Sequence, residues 1–308
     1  MAGSIERRRP YSRLVIGSGW FLVGAPWDCS GSGRGEAQAP GALRMAGLVD
    51  RVDVDLGDVA TVIGSIRRDE TTGVRALPDT IAAAHALAGA LRAGMGAHHG
   101  RRPLVIGGDC SLLLGVFAHL RPALGDVGLW AIDGHPDYLD APGSETGETA
   151  DLQLALLTGD GPPSLVSLGK TVPMVEARHV ALIGHRTTDL DAASAAELAR
   201  LPADLFTIDS PAVLDDPHGA GGRAAKWASR LRVPMWLHID VDVLDPSVMP
   251  AVTYPQDGGP DFDQLAAVLA PLAASPNLVG VSIADLRPDL DDDGLNATRL
   301  VALHDRTF

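Results

Sequence analysis

Cysteine is nearly absent: Cys29 and Cys110 are the only two in 308 residues. That excludes a scaffold stapled by disulfides and fits a reducing, cytoplasmic compartment. Aromatic residues are scarce too, at 4%. With 46% hydrophobic residues, the core has to be aliphatic, built from Ala, Leu and Val, and the chain is long enough to bury a large one. No apolar run reaches the roughly 20 residues that cross a bilayer, and MAGSIERRRPYSR lacks the apolar centre of a secretory signal. Positive charge is in deficit, with a net charge of −14 and no basic cluster beyond Arg7, Arg8 and Arg9. A membrane and a nucleic acid are therefore not expected as partners. An acidic surface serves solubility first, and it also suits a small cationic substrate.

Also missing are internal repeats and any long break rich in Pro, Gly and Ser. Short β-type runs alternate instead with Ala/Leu-rich helical ones. RLVIGSGWFLVGA, RVDVDL, PLVIGG, GLWAID, HVALIG, MWLHID and LVGVSI read as buried strands. DTIAAAHALAGALRAG, SAAELARL and DFDQLAAVLAPLAA have helical spacing, with Asp79 and Asp261 as N-caps. This alternation predicts one α/β domain over residues 14–308, a mainly parallel sheet with helices on both faces, preceded by a basic tail over residues 1–13.

Three apolar runs end in potential metal ligands. Cys110 closes PLVIGGDCS; Asp133, His135 and Asp137 close LWAIDGHPD; Asp240 and Asp242 close MWLHIDVDVLDP. Residues i and i+2 of a strand point the same way, so each set can converge on one point. Four carboxylates around one cleft repel strongly without a cation between them, and oxygen ligands with a histidine suit manganese. Ordinary N-caps and loop aspartates are the alternative reading. His238 shares the facing of Asp240 and can either support such a centre or simply pack, and His185, at a strand end, can either approach the cleft or stay outside it.

These motifs resemble those of the arginase and agmatinase family, the ureohydrolases. GGDCS resembles the family's GGDHS, DGHPD its DAHxD, and DVDVLDP its DxDxxDP; weaker matches run over roughly residues 14 to 300. The resemblance implies an arginase-like three-layer α/β/α fold, a homotrimer or homohexamer, and two manganese ions that lower the pKa of a bridging water for attack on a guanidinium carbon. It also implies that Asp133 and Asp240 bridge the ions, that Cys110 and Asp137 complete one site, and that His135 and Asp242 complete the other. Asp137 is then the candidate to relay a proton to the leaving nitrogen. Asp109, Asp245 and Pro246 belong to the motifs as supporting or loop-shaping residues.

The departures from the family pattern bear on substrate and metal. Cys110 stands where the family has His, and a thiolate prefers zinc, iron or cobalt over manganese. A two-metal site of altered preference, a one-metal site and a metal-free site all stay open. In the segment that recognises arginine's amino-acid end, Leu139 replaces Asn and Ala150 replaces His, so arginine is not the expected substrate. Glu148 and Asp151, with Asp140 and Glu145, can meet a second positive charge or form a solvated loop. Pro288 occupies the position of the Glu that pairs with the guanidinium; Asp289 can substitute after a one-residue shift. Cys29 and Cys110 both follow strands, and the pair is read either as interacting or as two buried residues that never meet.

The expected activity is hydrolysis of a C–N bond in a guanidino or other linear amidine compound, releasing urea or a urea-like product. An N-hydroxyguanidine or formimino hydrolase with an altered metal site is the alternative. A degenerate binding or regulatory protein is a third reading, opposed by the retained carboxylates, which are costly to bury unused.

Overall fold

The computed structural model describes Gly17 and residues 19–308. The basic tail, with Arg7 to Arg9, and the start of the first apolar run lie outside the described residues.

Eight strands form one sheet: β1 (Trp20–Ala25), β2 (Val54–Asp58), β3 (Arg102–Gly107), β4 (Gly128–Ile132), β5 (Val180–Ile183), β6 (Phe206–Ile208), β7 (Met235–Asp240) and β8 (Leu278–Ala284). Every pairing is parallel, in the order β2-β1-β3-β8-β7-β4-β5-β6. A parallel sheet is covered on both faces, which is why its central strands read as unbroken apolar runs. Alternate residues divide between two cores. Phe21, Val23, Val105, Leu129, Ala131 and Trp236 face one, whereas Leu22, Leu104, Ile106, Trp130, Leu237 and Ile239 face the other.

The helices are α1 (Ala39–Met45), α2 (Leu77–Ala97), α3 (Leu112–Leu124), α4 (Gln153–Leu157), α5 (Pro163–Val166), α6 (Ala192–Leu198), α7 (Ser210–Asp215), α8 (Pro217–Leu231), α9 (Phe262–Ala273) and α10 (Leu295–Thr307). Helices α2 and α3 cover the first face; α1, α8, α9 and α10 cover the second. The result is three layers, α/β/α, as the alternation of runs predicts. Scarce aromatics still matter to the core, because Trp130 and Trp236 are wholly buried at the middle of the sheet.

Several elements escape the hydrophobic pattern. Strand β6 has three residues and sits at an edge. Helix α3 is apolar on nearly every side, so no helical period shows, and α8 is rich in Gly, Ala and Arg. Asp261 caps α9 through a reciprocal box with Gln264. Asp79, in contrast, is not a cap: Ala76 holds that position, and Asp79 accepts from the backbone N–H groups of Gly64 and Ser65 instead.

The order of the sheet creates the cleft. From β3 the chain crosses to β4 and leaves two places that β7 and β8 fill later. The carboxyl ends of β3, β8, β7 and β4 thus stand side by side at the point where the winding changes direction, the usual place for a ligand in an open parallel sheet.

Candidate metal centre

Each of the four central strands ends in a side chain of the site. Cys110 follows β3, Asp285 follows β8, Asp240 ends β7 with Asp242 beyond it, and Asp133, His135 and Asp137 follow β4. The turn after β3 depends on Gly108, where a Cβ would collide with the carbonyl oxygen of Trp27. Asp109 then fixes this turn, accepting from the N–H of Ser111 at 2.9 Å and from that of Cys29. After β4, the N–H of His135 donates to Asp133 Oδ1 at 2.7 Å, and that of Gly134 to Asp242 Oδ1 at 3.2 Å. Arg186, from the ALIGHR segment, donates to the carbonyls of Gly184, Val243 and Gln256, which joins the loops after β5 and β7.

Two groups of candidate ligands result. Cys110, Asp133, Asp137 and Asp240 form one, and Asp133, His135 and Asp242 the other; within each, the donor atoms lie within 4.8 Å of one another. Asp133 belongs to both. Its Oδ2 is buried and has no hydrogen-bond partner among the described residues, which is the condition of a carboxylate oxygen that needs a cation. The donor set therefore fits divalent metal: carboxylates, one imidazole and one sulfur. Asp137 and Asp285 also hold left-handed backbone, with φ of 46° and 69°, a conformation uncommon outside glycine and often found at functional sites.

Electrostatics separate the two groups. His135 Nδ1 lies 2.9 Å from Asp242 Oδ2. Burial opposes its charge, but Asp242 and then Asp137 outweigh burial and raise its pKa to about 9, while the Asp242 carboxyl is held below the usual range despite burial. The other group has no such balance. Burial first, and repulsion by neighbouring carboxylates after it, pushes Asp133, Asp137, Asp240 and Asp285 well above the carboxylate range, although His135 partly offsets the rise at Asp137. The Cys110 thiol goes up for the same reasons, burial and then Asp240 and Asp285. Its Sγ lies 2.7 Å from Asp240 Oδ2, 2.8 Å from Asp285 Oδ2 and 2.9 Å from His238 Nε2. Burial keeps His238 neutral, with its pKa lowered to about 3.

Above the centre is a cleft of about 490 Å³ that reaches Cys110, His135, Asp137, Asp240, Asp242 and Asp285. Leu139 and Ala150 line it, as do Glu145, Glu148 and Asp151. Glu148 pairs with Arg34 Nη2 at 2.6 Å, and Asp151 accepts from Ser144 Oγ at 3.1 Å and from Thr146. Asp289 is elsewhere: it is exposed, engages Arg287 at 2.7 Å, and is not among the cleft residues. Hydrophobic pattern and motif did not mark Arg34, Glu36, Glu197 or Tyr254 for the cleft. Glu197 comes from α6 and accepts from the N–H of Tyr138 at 2.8 Å, with nothing in SAAELARL to separate it from a solvated helix residue. His185 turns away from this cleft and lines a separate recess of about 660 Å³ beside β6. Cys29 is buried and tied through its backbone to Asp109, but its sulfur joins neither ligand group found among the described residues.

Fold and site together define a hydrolase of the arginase type with a cluster of candidate metal ligands. The arginase-family model matches residues 18–304. The chain belongs to the arginase family. It is 29% identical over 299 residues to an arginase of Brevibacillus brevis, covering 93% of this chain and 96% of the relative. The native structure of the Bacillus caldovelox arginase superposes with a TM-score of 0.84 at 28% identity, covering 94% of this chain and 98% of that one. A formimidoylglutamase from Bacillus subtilis shares the fold, with a TM-score of 0.75 at 18% identity over 100% of this chain and 94% of that one. No described helix is long and apolar enough to cross a membrane.

Proposed function

We propose that this protein is a metal-dependent hydrolase cleaving a C–N bond in a guanidino or other linear amidine compound, with urea or a urea-like molecule as one product. The observation that carries this reading is the convergence of two ligand groups through Asp133, with Cys110, His135, Asp137, Asp240 and Asp242 lining the cleft. Cys110, Asp133, Asp137 and Asp240 would hold one divalent ion, and Asp133, His135 and Asp242 a second, with manganese suited to the oxygen-rich set. When bound, such ions acidify water and neutralise the buried carboxylates.

The chain's own residues supply the rest. Asp137 Oδ2 accepts from Gln153 Nε2 at 2.7 Å, which steers the carboxylate towards the cleft. It is the group best placed to take a proton from water and return it to the leaving nitrogen. Leu139 and Ala150 present no polar atom to an amino-acid end. Glu145, Glu148, Asp151 and Glu197 line the cleft together with one guanidinium, Arg34, which pairs with Glu148, so the cleft favours a substrate whose far end is cationic or uncharged.

Cys110 and Pro288 favour a second substrate class, an N-hydroxyguanidine or a formimino compound, handled by an altered metal site. Without a carboxylate at position 288, a fully charged guanidinium loses a bidentate partner. One experiment separates these readings. Metal content per chain is determined by elemental analysis before and after manganese loading, and the loaded protein is then tested against guanidine, N-hydroxyguanidine and formimino compounds. Two manganese ions with urea release supports the first reading; one ion, with hydroxyurea or formamide release, supports the second. No metal bound and no turnover would overturn both.

A further inference from the structure

We infer that His238 is a positioning residue for Cys110, its Nε2–H aimed at the sulfur so that Cys110 can serve as a ligand where an imidazole is absent. The inference rests on the metal reading above and adds a residue that the reading does not require.

One direction of hydrogen bonding gives every hydrogen along this line an acceptor. Trp236, His238 and Asp240 alternate along β7 and share one side of the strand. Trp236 Nε1 can only donate, and it meets Ser282 Oγ at 2.8 Å. The Ser282 hydroxyl keeps one proton to give, and its other neighbour is His238 Nδ1 at 2.7 Å. With that proton donated, Nδ1 is the acceptor and the ring's own hydrogen resides on Nε2. Nε2 lies 2.9 Å from Cys110 Sγ. The line Trp236, Ser282, His238, Cys110 thus ends in an N–H···S hydrogen bond.

Among the described residues, the His238 and Ser282 side chains have no further hydrogen-bond partner competing for these bonds. Trp236, His238 and Ser282 are wholly buried, and Cys110 is 1% exposed. Both ring nitrogens of His238 are committed, so the imidazole supports a ligand and is not one itself. The carboxylates of Asp240 and Asp285 face the sulfur from its other sides, and His238 Nε2 is the nitrogen that meets it. A fixed donor behind a coordinating atom orients it and tunes its basicity, and removing such a donor ordinarily costs about 10–100-fold in metal affinity. His238 is thereby tied to the metal preference that the sulfur brings, towards cobalt, zinc or iron.

The test uses the full chain titrated with Co(II), following the near-ultraviolet sulfur-to-cobalt charge-transfer band alongside affinity. Wild type is expected to show the band. His238→Ala is expected to bind the sulfur-ligated Co(II) about 10–100-fold more weakly and to lose or shift the band. His238→Gln, which keeps an N–H near the sulfur, should restore part of both. Should His238→Ala fail to fold, Ser282→Ala carries the test, because it frees the ring to move its hydrogen to Nδ1; a weaker band and affinity are expected. Wild-type band and affinity in the variants would overturn the inference alone. A wild-type band that is absent, and equally absent in Cys110→Ala, would overturn the ligand role of Cys110 and this inference with it.

Discussion

The two halves of the candidate centre share Asp133 yet solve the same electrostatic problem in opposite ways. On the His135 side, a buried carboxylate and a partly exposed imidazole balance each other, with Asp242 held low and His135 raised to about 9. On the Cys110 side, Asp137, Asp240 and Asp285 lie around a thiol, only Asp137 feels the His135 charge, and burial drives every group towards its protonated form. One half is internally neutral without metal. The other is tolerable only with protons or with a cation, so it is the half whose occupancy should control stability and pH response.

The comparison breaks most completely at Asp133. Asp133→Asn removes a donor from both halves, and loss of several kcal/mol of metal-derived stabilisation corresponds to a fall of about a thousandfold in kcat/KM, with bound metal lost in elemental analysis. Next in size is a pair of substitutions in the metal-free protein, measured by urea denaturation near neutral pH. Asp242→Asn removes the partner that keeps His135 protonated and should destabilise by about 2–3 kcal/mol. Asp285→Asn relieves repulsion and should stabilise by about 1 kcal/mol. Equal losses in both variants would erase the distinction between the halves.

The smallest expected effect is a pH trend. Folding raises the pKa of Asp133, Asp137, Asp240 and Asp285, so the stability they contribute is full below about pH 4, the unfolded value, and is lost as pH rises through the folded ones. His135 acts in the same sense, losing its contribution as pH rises through about 9. Asp242 works in reverse, but only as pH falls below the ordinary carboxylate range. Metal-free protein should therefore melt at progressively lower temperature from about pH 5 to 9, whereas metal-loaded protein stays level because the cation replaces the protons. Parallel curves for the two forms would show that the carboxylates do not share a cation.

Residues whose placement is local were readable early. Asp133 and His135, or Asp240 and Asp242, lie near one another because strand geometry brings i and i+2 together, and an apolar run marks where the strand ends. The capping box of Asp261 is equally local. Asp285 is different. Its match to a family segment gave no sign that its carboxylate would contact Cys110, since that depends on β8 lying beside β3 despite 175 residues between the partners. His238 had two open roles until the cross-strand contact with Ser282 and the approach of Cys110 favoured one. Arg34, Glu36 and Glu197 enter the cleft from loops and a helix whose composition resembles any solvated surface.

By itself the sequence determined the parallel α/β layering, the strand ends that carry the candidate ligands, and the family, because hydrophobic period and motif spacing are properties of neighbouring residues. Tertiary structure alone decided which strand ends adjoin, how the cluster divides into a balanced half and a strained one, and that Asp289 engages Arg287 outside the cleft. Those outcomes depend on sheet order and burial, which are set by contacts between residues far apart in the chain.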